Sequence, residues 1–110
     1  MYYIKIIVLK KCTYCNDALN ILKKIKKDKL EILEINDDEK HYYKTDLIKS
    51  FPQIFLKKNN SKGSLLIGGY DNINFINNNF KNKKAIEIIR KQFPHFSLKA
   101  TLRIIQLFLN

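Results

Sequence analysis

The chain's only two cysteines stand in Cys12-Thr13-Tyr14-Cys15, directly after the apolar run Ile4-Lys5-Ile6-Ile7-Val8-Leu9. Two thiols separated by two residues, at the junction of a predicted strand and a predicted helix, make a redox pair. The helix N-terminus turns its backbone N–H groups and positive dipole end toward the first sulfur. That favours the thiolate, which is the reactive species. Lys10 and Lys11, just before Cys12, favour the same anion through their charge. Ala18, Leu19, Ile21, Leu22 and Ile25 follow at helical spacing, so strand, motif and helix come in the order this chemistry needs.

Two other readings of the pair carry less weight. A zinc site normally takes four ligands. This chain has one cysteine pair and only His41 and His95, without the spacing of a histidine ligand pair. A purely structural disulfide between positions i and i+3 closes a loop too short to stabilise much. Neither histidine lies near the dithiol in sequence, and thiolate formation needs only the dipole and nearby cations, so no catalytic base is assigned to them.

The surrounding pattern predicts one α/β domain. A strand over residues 3–9 is apolar nearly throughout, as a central strand should be. An amphipathic helix over 13–27 leads to an alternating strand, Leu30–Ile35, parallel to the first through a right-handed crossover. Asn36-Asp37-Asp38-Glu39 supplies caps for a second helix over 38–49, with Leu47 and Ile48 as its apolar contacts. Pro52 precedes a third strand, Gln53–Leu56; the five residues Asn59–Gly63 connect it to a fourth, Ser64–Ile67. Gly68-Gly69 ends that strand where the chain turns sharply or comes close to something. One helix begins near Asp71 or Asn72 and another covers 83–93.

Pro94 breaks the pattern, and Ser97 caps a last helix over 97–109 with Leu98, Leu102, Ile105 and Leu109 along one stripe. The expected organisation is therefore a domain over 1–93 and a helical extension over 94–110 packed on it. A dimer interface or partner-binding helix is the alternative use of that stripe.

At 110 residues, 45% of them apolar, the chain can build a real core. No apolar stretch reaches the roughly 18 residues that span a membrane, and no signal-peptide layout opens the chain. With both cysteines in one motif, a reducing, cytoplasmic setting is expected. The net charge is +11, from 21 Lys and Arg against 10 Asp and Glu. The lysines are spread along the whole chain, accompanied by the Asn and Ile of AT-rich coding, and arginine occurs only as Arg90 and Arg103. Specific nucleic-acid binding is therefore not expected; attraction of anionic small molecules or acidic partners is.

Three segments now stand in order: Cys12-Thr13-Tyr14-Cys15, Phe51-Pro52-Gln53-Ile54-Phe55 and Ile67-Gly68-Gly69-Tyr70-Asp71-Asn72. Their order and spacing resemble those of a dithiol glutaredoxin, particularly the short ones encoded by phages and large DNA viruses. The resemblance covers about residues 3–93 and says nothing of the tail. It implies a thioredoxin fold, a four-stranded mixed sheet flanked by helices on both faces. It also implies a cis Pro52 facing the dithiol, with the Phe51 backbone free to pair with an extended peptide-like substrate such as glutathione. In this family the Gly68-Gly69-Tyr70-Asp71 segment holds the γ-glutamyl end of glutathione. Gly69 and its neighbour let the backbone approach, and Asp71 is the acidic residue meeting the α-amino group. Asn72 stands where the family often has a second acid. Tyr14 is expected to flank the bound tripeptide. The family's lysine three residues before the first cysteine is Leu9 here, so Lys10 or Lys11 takes its part toward the glycine carboxylate.

The resemblance implies an enzyme, a glutathione-dependent thiol–disulfide oxidoreductase with Cys12 as nucleophile and Cys15 as resolving thiol. Glutathione is the expected co-substrate, disulfide-containing proteins the expected partners, with ribonucleotide reductase as a physiological electron acceptor, and a monomer the expected state. Two alternatives stay open. Thr13 replaces the Pro that usually follows the first cysteine. Family members with a small residue there share a [2Fe–2S] cluster between two subunits, ligated by the first cysteine and glutathione. The other alternative is a thioredoxin-like protein served by a reductase enzyme; the Gly-Gly-Tyr-Asp segment speaks against it.

Overall fold

The computed structural model describes Met1–Asn110. Its four strands are β1 (Tyr2–Leu9), β2 (Leu30–Ile35), β3 (Gln53–Lys58) and β4 (Ser64–Gly68), joined in one sheet of order β2-β1-β3-β4. β1 runs parallel to β2, in register from Ile4↔Leu30 to Leu9↔Ile35. A parallel pair cannot be closed by a tight turn, and helix α1 (Thr13–Leu22) makes the crossover. β3 is antiparallel to both its neighbours, and the five residues between β3 and β4 form the expected hairpin connection. The register slips by one residue at Ile54/Phe55, close to the end of β4 at Gly68.

Alternation along β1 divides the sheet into two faces. Ile4, Ile6 and Val8 join Ile54, Leu56 and Ile67 in a single buried cluster. Onto it pack Cys15, Ala18 and Leu22 of α1, Ile73 and Ile76 of α3 (Tyr70–Asn79), and Ala85 and Ile89 of α4 (Ala85–Gln92). The last helix, α5 (Leu98–Leu109), adds Ile104, Leu107 and Phe108 to the same core. Phe93 and Phe96 stack at 4.7 Å and pin the connection between α4 and α5. Each such side chain, fully buried, contributes about 1.5–3 kcal/mol of transfer free energy, so α5 belongs to the core energetically as well as by contact.

On the reverse face the buried residues are Ile7, Ile35 and Gln53, near helix α2 (Lys40–Tyr43). The Gln53 amide is 1% exposed and donates from Nε2 to the Tyr43 carbonyl at 3.0 Å. A four-stranded mixed sheet flanked by five helices, with the dithiol helix between a parallel pair, is a thioredoxin-like α/β architecture.

Three expectations are corrected. α1 stops at Leu22 rather than 27, and a 3-10 turn at Lys27–Lys29 leads into β2. The run Lys23-Lys24-Ile25-Lys26-Lys27 gathers like charges where the chain must reverse, although Ile25 still reaches the core. The second helix is not a helix over 38–49. A 3-10 turn, Asp37–Glu39, precedes the four residues of α2, and the Asn36 N–H is capped by Glu39 Oε1 at 2.9 Å. Beyond Tyr43, Thr45 closes its own turn: its N–H donates to Ile48 O at 2.8 Å and its Oγ1 accepts from Ile48 N–H at 3.2 Å. Leu47 is left 82% exposed and Ile48 half-buried, so neither is the helix contact expected. Finally, α5 buries Thr101, Ile104, Ile105, Leu107 and Phe108, whereas Leu98, Leu102 and Leu109 face solvent. Two apolar stripes share that helix, and the one carrying Phe108 against Phe80 at 5.3 Å is the one that packs. Ser97 does cap it, accepting the Ala100 N–H at 3.0 Å.

Candidate functional site

Cys12 is the N-cap of α1, in an extended backbone conformation that lets its side chain fold over the first turn. Its Sγ accepts the Cys15 N–H at 3.1 Å, and its carbonyl accepts the Asn16 N–H at 3.0 Å. No acidic residue occupies the first turn of α1, so nothing there opposes a negative sulfur. Cys15, one turn in, is 1% exposed and part of the core, whereas Cys12 is half-buried. The two are joined as a disulfide with Cα atoms 5.1 Å apart. One sulfur is thus accessible and helix-capped, the other shielded.

Lys11 adopts a left-handed backbone (φ 56°) where β1 turns into α1, and Lys10 and Lys11 are both exposed. Beside the dithiol helix lies an open groove of about 540 Å³. The structure brings Tyr14, Phe51, Pro52, Gly69, Tyr70, Asp71 and Asn72 together along it, and Leu47, Ile48 and Lys49 line it as well. Lys10, Lys11 and the two cysteines do not line it, and Tyr14, between the cysteines, is the motif's one residue that does. Lys49 does, and it escaped sequence reasoning; its one signal is its position two residues before Phe51-Pro52.

The Phe51–Pro52 peptide bond is cis, the form the resemblance implied. Gly68 holds φ 134°, a conformation that side-chain-bearing residues rarely adopt, and a Cβ there would run into the Asn72 side chain. Asn72 is folded back onto the helix start, its Oδ1 accepting the Gly69 N–H at 2.9 Å. Asp71 is exposed in the first turn of α3 and makes no ion pair; the pairs present are Lys5–Glu31 and Lys40–Asp37. Tyr14 is 62% exposed, its ring tilted against that of Tyr70 at 5.6 Å, so the two form one rim of the groove.

His41 and His95 are exposed; His95 Nε2 lies 3.3 Å from the Leu66 carbonyl. No three His, Cys, Asp or Glu side chains gather where they could hold a metal ion, and no helix is long and apolar enough to cross a membrane.

No family model matches the chain, and no curated protein matches it at a significant level. The functional reading therefore rests on the site itself. A Cys-x-x-Cys pair at the head of a helix in a thioredoxin-like α/β fold, one cysteine accessible and one shielded, is compatible with thiol redox activity.

Proposed function

We propose that the protein is a glutathione-dependent thiol–disulfide oxidoreductase of the glutaredoxin type. The observation that carries the redox chemistry is the asymmetry of the dithiol, Cys12 as helix cap with its sulfur on a backbone N–H and Cys15 sealed in the core, and the groove beside it supports glutathione as the reductant.

In the first half-reaction the Cys12 thiolate attacks the glutathione sulfur of a mixed disulfide. The S–S bond breaks, the glutathionyl group stays on Cys12, and the partner thiolate departs and takes a proton. A second glutathione thiolate then attacks the glutathione sulfur held on Cys12, forming glutathione disulfide and releasing the Cys12 thiolate. The net change is an exchange of disulfides: the partner leaves as a thiol, and the one incoming glutathione leaves joined to the transferred glutathionyl group. With a protein disulfide, Cys12 is first joined to one protein sulfur. Cys15 then attacks Cys12 Sγ, frees the reduced protein and leaves the Cys12–Cys15 disulfide, which is the state of this structure.

The groove supplies the parts such a substrate needs. Asp71 offers a free carboxylate to the α-ammonium of the γ-glutamyl end, at a helix start whose N–H groups suit the adjoining α-carboxylate. The Phe51 backbone, ahead of cis Pro52, pairs with the extended tripeptide, and Tyr14 and Tyr70 flank it. Lys49 is the cation within the groove for the glycine carboxylate.

Two coupled assays on the purified protein test the proposal: reduction of a glutathione mixed disulfide with glutathione reductase recycling, and disulfide reduction driven by thioredoxin reductase. Turnover with glutathione is expected. Turnover with the reductase alone would make the protein a thioredoxin in function and leave the groove without its ligand.

A further inference from the structure

At the other end of β1 the molecule carries a second feature, independent of the redox reading. Two adjoining clefts, of about 290 and 240 Å³, share Tyr2, Lys58 and Lys99. Lys29 and Arg103 line the larger, and Lys57, with hydroxyls of the β3–β4 hairpin and of Ser97, the smaller. Tyr2 begins β1 and Cys12 follows its end, so these clefts lie roughly 23 Å from the dithiol at about 3.3 Å per strand residue.

Four observations set this cluster apart from lysine scattered by composition. No Asp or Glu lines either cleft, and none of these cations belongs to an ion pair. Lys99 and Arg103 stand at i and i+4 on α5, a like-charge spacing that costs stability and that a bound anion relieves. Arg103 is also held in place. Its guanidinium lies 5.2 Å from the centre of the Tyr2 ring, and its Nη1 donates to Gln106 Oε1 at 3.2 Å. The cations come from separate elements — the turn before β2, the end of β3 and α5 — so they converge on one space from different directions.

The chemistry of the occupant follows. A forked guanidinium with several ammonium groups around it matches tetrahedral oxyanions of high charge density. Two connected clefts call for more than one such group in a row. The Tyr2 ring carries Arg103 and, at 5.8 Å, Lys58 over it, so it is not a free platform for stacking a base. Recognition is through phosphate. We propose that this end of the sheet binds a short chain of linked phosphate groups.

The test is titration calorimetry of the full chain with tripolyphosphate in about 0.15 M salt, beside citrate and a mixed-sequence single-stranded oligonucleotide. Saturable one-to-one tripolyphosphate binding is expected, with citrate weaker. The double variant K99Q/R103Q should weaken it by about tenfold or more. K44Q/K91Q, which removes the same charge away from both clefts, should change it less than about twofold. Lys29→Gln, which leaves α5 untouched, should fall between them. Thermal melts confirm that each variant is folded. The proposal is overturned by absence of saturable binding, by equal losses in the two double variants, or by citrate binding as well as tripolyphosphate. Tighter binding of the oligonucleotide, lost in K99Q/R103Q, also overturns it and makes the surface a nucleic-acid interface.

Discussion

The two ends of β1 are built from different materials. At the dithiol end the decisive features belong to the backbone: a helix cap at Cys12, a cis bond before Pro52, and positive φ at Lys11 and Gly68. At the far end they are the heads of long side chains, Lys29, Lys58, Lys99 and Arg103, gathered around one tyrosine. Backbone geometry is fixed by the fold and tolerates little substitution. A cluster of flexible charges loses function in increments and answers to ionic strength. The first end is therefore open to disabling by single, small changes, the second only by removing several charges.

The largest effect should come from Cys12→Ser, which is expected to abolish glutathione-coupled turnover while the melting curve stays close to that of the parent; retained turnover would remove Cys12 from the mechanism. Cys15→Ser should split the activities. Transfer of the glutathionyl group persists within about a few-fold, and reduction of a protein disulfide is lost, because no second thiol resolves the intermediate. Gly68→Ala asks whether the backbone truly governs this end. The added Cβ meets Asn72 at a φ it does not favour, and a loss of about 1–3 kcal/mol is expected in denaturant titration. An unchanged midpoint would mean the turn is freely remodelled.

Smaller still is Ser97→Ala, which removes the cap of α5 at a cost of about 1 kcal/mol and should leave glutathione turnover untouched. The smallest effects concern charge near the dithiol. Lys49→Gln should raise KM for the glutathione mixed disulfide about two- to fivefold, whereas Lys10→Gln and Lys11→Gln, outside the groove, should change it less than about twofold. The reverse ranking would return the glycine-carboxylate contact to the lysines before Cys12.

The sheet and its order of elements were legible because each strand announces itself locally: Leu30–Ile35 alternates, and Gln53–Lys58 follows a proline. Much of the groove was legible too, since Tyr14, Phe51, Pro52 and the Gly69–Asn72 segment fall in three compact motifs. What escaped was decided by distant partners. The end of α2 is set by Gln53 reaching back to Tyr43, a contact between residues ten apart that no periodicity displays. The buried side of α5 was ambiguous because both its stripes are apolar, and only Phe80 and the sheet beneath select one. Lys49 carries no signal beyond its position ahead of Phe51-Pro52; the loop that presents it exists because the predicted helix stops early.

That early stop, fastened by the Gln53 amide, also bears on how the groove meets a ligand. Pulling the end of α2 at Tyr43 away from β3 strips the buried Gln53 amide of its acceptor, at a cost of about 1–3 kcal/mol. The segment bearing Leu47, Ile48 and Lys49 is therefore tethered to β3 through Tyr43 just before its start and runs into β3 itself just after its end. A wall anchored at both ends is pre-organised, so the tripeptide proposed as its ligand would meet a surface already in place and spend little binding energy on ordering the loop.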